Sequence, residues 1–169
     1  MSTARTLAPW RWLGLPFLQV VGLTVLFGVP VRLFGLQLPE PVFAMWPVFA
    51  WAVIRPSMLA PFAVLLLGLF LDGFWGGATG LWALSLLVAY GVVLSARSMM
   101  AGQGQAIMWL WFAAATALAM GAGAFFTVLT AKAAPSLLAI FWQFLATVVL
   151  YPLAHWLIDE FEDADVRFR

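Results

Sequence analysis

The sequence predicts an all-α integral membrane protein with six transmembrane helices. Three observations predict it. Of 169 residues, 65% are hydrophobic and 9% charged, against roughly 45–50% and 25% in an ordinary soluble domain. A soluble domain of this size leaves much of its surface in water, and eight basic plus seven acidic residues do not cover it. Second, the charges leave long uncharged runs: Trp12–Val31, Pro41–Ile54, Pro56–Leu71, Gly73–Ala96, Ser98–Ala131 and Ala133–Ile158. A spanning helix needs about 20 mostly apolar residues. Third, Lys and Arg fall mostly on one of the two sides that such spans create, six against two.

Taken in order, the spans fall at about 13–31, 41–54, 56–74, 79–96, 107–130 and 135–158. The second is short. It is either a half-span or begins inside Leu33–Pro41, a Pro-containing stretch suited to the interface. The N-terminal run is too long, and lacks the small-residue cleavage site, for a signal peptide. The whole chain reads as one transmembrane domain. Arg5, Arg11, Arg55, Arg97, Arg167 and Arg169 fall on one side, with Arg32 and Lys132 on the other. The positive-inside rule then places both termini in the cytoplasm. Trp10, Trp12, Trp109 and Trp156 fall near cytoplasmic ends, and Trp75 and Trp82 near the opposite ends, where indoles favour the headgroup region.

Several chemistries are excluded. There is no Cys, hence no disulfide or thiolate, and one His cannot build a His-cluster metal site. A net charge of +1 gives no nucleic-acid footprint. No cofactor is expected.

Residues 68–84, GLFLDGFWGGATGLWAL, stand out. Gly68, Asp72, Gly76 and Gly80 recur every four residues, a spacing that shares one helix face. Glycine there lets another backbone approach closely. Gly73, Gly76 and Gly77 suit a sharp reversal, and Thr79 suits a cap for the fourth helix. Asp72 is the only acid between Glu40 and Asp159. Its carboxylate either holds the glycine turn through backbone N–H groups or meets a partner.

The pattern Gly68-x3-Asp72-x3-Gly76-x3-Gly80-x3-Leu84 resembles the core signature of the MreD family of rod shape-determining membrane proteins. Arg55-Pro56, with the proline opening the third helix, and Leu150-Tyr151-Pro152-Leu153 before a short charged tail fit the same family. The tail here is acidic where many relatives are basic. The resemblance implies a non-enzymatic membrane scaffold of the cell-elongation complex in the bacterial inner membrane. It implies MreC as direct partner, with penicillin-binding protein 2, RodA and MreB in the same assembly. It also implies a fold like the substrate-binding S-components of energy-coupling-factor transporters. Gly68, Asp72, Gly76, Gly80, Leu84, Pro56 and Pro152 are therefore the motif and partner-contact candidates.

Other polar residues read as packing. His155 and Asp159, four apart, form an interfacial pair. Gln19 and Gln143 each bond to another helix. Pro152 kinks the sixth helix. In the fifth, Ala113, Ala117 and Gly121 form one smooth stripe, and Ala115, Ala119 and Gly123 the adjacent one. Each expects a close neighbour, from this chain or from the MreC span. The alternative function is a small-molecule-binding subunit of a membrane transporter, which requires a polar or aromatic pocket near one face. An enzyme requires an acid–base or nucleophile pair, and Asp72 and His155 are predicted on opposite sides.

Overall fold

The computed structural model describes residues 10–28, 32–33, 36–37, 40–54, 56–131 and 136–152. Six helices carry the fold: α1 (Leu15–Phe27), α2 (Met45–Val53), α3 (Ala60–Trp75), α4 (Leu81–Met100), α5 (Gln105–Ala131) and α6 (Leu137–Val149). The architecture is all-α. The only β structure among the described residues is a minimal antiparallel pairing between α1 and α2. There β1 (Arg32–Leu33) lies beside β2 (Leu36–Gln37), with Arg32 opposite Gln37.

Two helices, Leu81–Met100 and Gln105–Thr130, are long and apolar enough to cross a membrane. Trp12–Phe27, Ala60–Trp75 and Leu137–Val149 are shorter apolar helices. Large apolar side chains face outward on all five. Leu26 of α1, Phe62 of α3, Val92 of α4, Leu110 and Phe125 of α5, and Leu138 of α6 are all exposed.

A wide turn, Trp10–Gly14, leads into α1. Pro16 follows and has no N–H to return to the Trp12 carbonyl. The Trp51 indole instead donates to that carbonyl at 3.2 Å. The start of α1 is thereby tied to α2.

At the centre lies α2, and it differs most from expectation. It has nine residues, about 13.5 Å at 1.5 Å per residue, too short for a hydrocarbon layer of about 30 Å. The helix is short and begins at Met45, after the Leu33–Pro41 stretch. Met45, Val48, Phe49, Trp51 and Ala52 are all buried. A helix that ends inside an apolar bundle must satisfy its terminal main-chain groups there. Two other elements bond main-chain groups at or beside its ends, and a third holds one of its side chains. Thr147 of α6 accepts from the Val42 N–H at 3.0 Å. Arg97 of α4 donates through Nε to the Val53 carbonyl at 2.8 Å. The Trp51–Trp12 bond supplies the third tie. Around this helix the core closes with Leu67, Leu71, Leu86 and Phe112. The Phe112 and Tyr151 rings lie 4.6 Å apart, and Phe49 meets Phe112 edge-on at 5.5 Å.

Thr147→Val keeps the shape of that side chain and removes the acceptor, leaving the buried Val42 N–H unpaired. The expected loss is about 1–2 kcal/mol of unfolding stability, measured by denaturation in detergent against Thr130→Val. Thr130 is exposed and bonds only within α5.

Helix boundaries shift in physically readable ways. The third helix begins at Ala60, not at Pro56. Ser57 accepts from the Ala60 N–H through its side chain, and Pro61 occupies the first turn. Pro56 lies outside the helix and is exposed. Ser136 caps α6, accepting from Ala139 N–H at 3.4 Å. That helix ends at Val149. After a turn at Leu150 the chain is helical again at Tyr151 and Pro152, and Pro152 is exposed. His155, Trp156, Asp159 and the acidic tail lie outside the described residues.

Candidate functional site

The Asp72 region joins α3 to α4. Asp72 is 1% exposed. One carboxylate oxygen accepts from the Gly80 N–H and the other from the Trp82 N–H, both at 2.7 Å. Gly80 is the cap residue of α4 and Trp82 lies in its first turn. The carboxylate therefore takes up otherwise orphaned donors at the positive end of the α4 dipole. The main-chain carbonyl of Asp72 accepts from Gly77 N–H at 3.2 Å and from Gly76 N–H. One residue closes the end of one helix and the start of the next.

The four-residue ladder divides into two kinds of glycine. At Gly68 an added Cβ would lie 2.1 Å from the Ala83 Cα and 2.5 Å from its N. Here α3 and α4 touch backbone to backbone, as small residues permit in membrane helix pairs. Gly76 and Gly80 instead have φ of 66° and 94°, with open space where a Cβ would be. They supply left-handed turn conformations, not a packing face. Gly73 and Gly77 are not among the positive-φ glycines. Thr79 is exposed, and no side chain of the turn itself caps α4; Asp72 does so from α3. Leu84, four residues beyond Gly80, points outward and is 47% exposed.

The structure thus brings together Gly68, Asp72, Gly76 and Gly80. It leaves Leu84, Pro56 and Pro152 on the outside. Gln19 is exposed on α1 and does not bridge helices. The two small stripes of α5 separate. Ala115, Ala119 and Gly123 are buried, and a Cβ on Gly123 would lie 3.4 Å from Ser85 of α4. Ala117 and Gly121 are exposed, and nothing lies within 4 Å of a Cβ on Gly121.

Two features escaped the motif. Glu40 lies between Pro39 and Pro41 and accepts from the Trp75 indole Nε1 at 2.8 Å. Trp75 and Trp82 rings lie 5.0 Å apart at 57°. The sequence signal was an acid flanked by prolines, in a segment with no helical period. The other feature is a groove of about 520 Å³ between α1 and α3, lined by Leu13, Gly14, Phe17, Phe62, Ala63 and Leu66 among others. Its walls are apolar. Among the described residues, no cluster of three His, Cys, Asp or Glu could hold a metal ion.

Comparison with protein-family models, with curated proteins and with solved structures finds no match to this chain.

Proposed function

We propose that the chain is a six-span inner-membrane scaffold of the MreD type. It binds MreC and thereby supports penicillin-binding protein 2, RodA and MreB in cell elongation, with both termini cytoplasmic. The observation that carries this reading is the α3–α4 unit. Gly68 serves the helix contact, Asp72 the double cap, and Gly76 and Gly80 the reversal. A motif whose parts make one rigid hairpin suits a scaffold, whose mode of action is shape.

The outward apolar faces support a lipid setting. Short α2 counts as one of the six membrane segments because its side chains are enclosed by the neighbouring helices. The free stripe Ala117 and Gly121 is the surface assigned to the MreC span, since membrane helices associate through small residues. The transporter alternative needs a polar or aromatic pocket, and the α1–α3 groove, apolar with Phe17 and Phe62 in its walls, offers a ligand no polar group to orient it.

Pulldown of the full chain from native membranes, with mass spectrometry of partners, tests the reading. MreC is expected to co-purify, and Gly121→Leu to lower its yield about fivefold, about the 1 kcal/mol that marks a contributing interface residue. Folding is expected to be unaffected, because no atom occupies that space. Recovery of nucleotide-binding transport subunits in place of MreC would establish the transporter alternative.

A further inference from the structure

The first and last helices are seated lightly. Of the thirteen residues of α1 only Val20 and Thr24 are buried, and of the thirteen of α6 only Thr147 and Val148. By contrast, α3 and α4 bury six and seven residues. The groove of about 520 Å³ between α1 and α3 leaves room on the flank of α1. Each of the two light helices is tied to a central helix by the same chemistry. The Trp109 indole of α5 donates to the Val148 carbonyl of α6 at 2.9 Å. The Trp51 indole of α2 donates to the Trp12 carbonyl, just before α1, at 3.2 Å. Both carbonyls stand four residues before a proline, Pro152 and Pro16. An α-helix fills each carbonyl with the N–H four residues on, and proline has no N–H to give. At Val148 the Leu150 N–H also reaches the carbonyl, but it is shared with the carbonyl of Ala146.

We propose that α1 and α6 are releasable arms of the fold, each held by a proline–indole clasp. The proline withholds an N–H from a carbonyl of its own helix, and a tryptophan of a central helix takes that carbonyl. Away from water, an acceptor binds whatever donor the fold brings within reach. A bond that would have lengthened the helix's own ladder docks the helix instead. Little apolar burial backs it, and lightly packed elements are the ones that open first. In α6 the clasp sits beside the bond from the Val42 N–H to Thr147. The arm is therefore held near the turn at Leu150, while Leu137 and Leu138 at its far end are 80% and 66% exposed. The device concerns the fold alone and holds whichever partner the chain binds.

The test is amide hydrogen exchange of the full chain in detergent, read peptide by peptide by mass spectrometry. Peptides of α1 and α6 are expected to exchange faster than those of α3 and α4, through local opening. Trp109→Phe keeps an aromatic ring and removes the donor. It is expected to speed exchange in α6 about tenfold, the factor of one net hydrogen bond. Unchanged rates in α3 and α4 show that the fold is intact. Pro152→Ala gives the Val148 carbonyl an N–H from its own helix. Adding Trp109→Phe in that background is expected to change α6 exchange by less than about twofold, since the indole is then redundant. The same cycle with Pro16→Ala and Trp51→Phe reads α1, and the space left by the smaller ring cancels between the two backgrounds. Equal acceleration with and without the proline overturns its part in the clasp. No acceleration of α6 in Trp109→Phe, or exchange in α1 and α6 no faster than in α3 and α4, overturns the releasable arms.

Discussion

Asp72→Ala is expected to lower unfolding stability by about 2–4 kcal/mol, combining a lost helix cap with buried N–H groups left unpaired. Both carboxylate oxygens are engaged at 2.7 Å, and the residue is 1% exposed. Water cannot readily replace the lost acceptor. Asp72→Asn retains one acceptor oxygen but turns an amide N–H₂ toward the second donor. It should fall between the wild type and Asp72→Ala. Thermal or denaturant unfolding in detergent measures the series. If Asp72→Ala and Asp72→Asn both unfold with the wild type, the double cap contributes nothing to the hairpin. Since its carboxylate oxygens meet main-chain donors at the start of α4, the defect should appear first as fraying of α4 around Gly80–Trp82, visible as faster amide hydrogen exchange there.

Gly68→Ala is expected to destabilise the chain by about 2–3 kcal/mol, at the upper end of ordinary overpacking. The added methyl would meet the Ala83 main chain at 2.1 Å. Main chain cannot rotate aside as a side chain can, so the two helices must separate. Gly73→Ala, five residues along the same helix, is the matched control. Nothing lies within 4 Å of its Cβ position, and its φ is not positive. There alanine should be neutral or stabilise by about 0.5–1 kcal/mol, because it restricts the unfolded chain more than glycine does. Two glycines of one helix thus give effects of opposite sign, read in the same unfolding experiment. Equal effects at the two positions would mean that the close approach of α3 to α4 is not what Gly68 serves.

The helices themselves were legible because apolar run length and charge position report directly on which segments avoid water. The predicted spans at about 56–74, 79–96 and 107–130 lie over α3, α4 and α5 with small shifts at their ends. Run length says nothing about depth, however. Pro41–Ile54 has fourteen uncharged residues, and only the packing shows that nine of the segment's residues form a helix enclosed by its neighbours. Thr147 and Arg97, which close its ends, are 105 and 44 residues away from their partners. No local pattern announces a cap supplied from that distance.

The glycine ladder shows the same division. A spacing of four means a shared face only while the helix continues. Gly68 and Asp72 lie within α3, which ends at Trp75, so they share a face. Gly76 and Gly80 fall in the reversal and take left-handed conformations instead. Thr79 was the local choice of cap for α4, and a carboxylate eight residues before Gly80 supplied it. Glu40 carried no periodic signal, and its meeting with Trp75 bridges 35 residues.

By itself, then, the sequence determined the helical class, the positions of the apolar segments and the unusual chemistry of residues 68–80. Those follow from composition and from neighbours a few residues apart. Only the tertiary structure decided that α2 is a buried short helix, that Asp72 caps two helices at once, and which α5 stripe is left uncovered. Each of those depends on groups far apart in the chain. Main-chain donors and acceptors at helix ends take whatever partner the fold brings within about 3 Å.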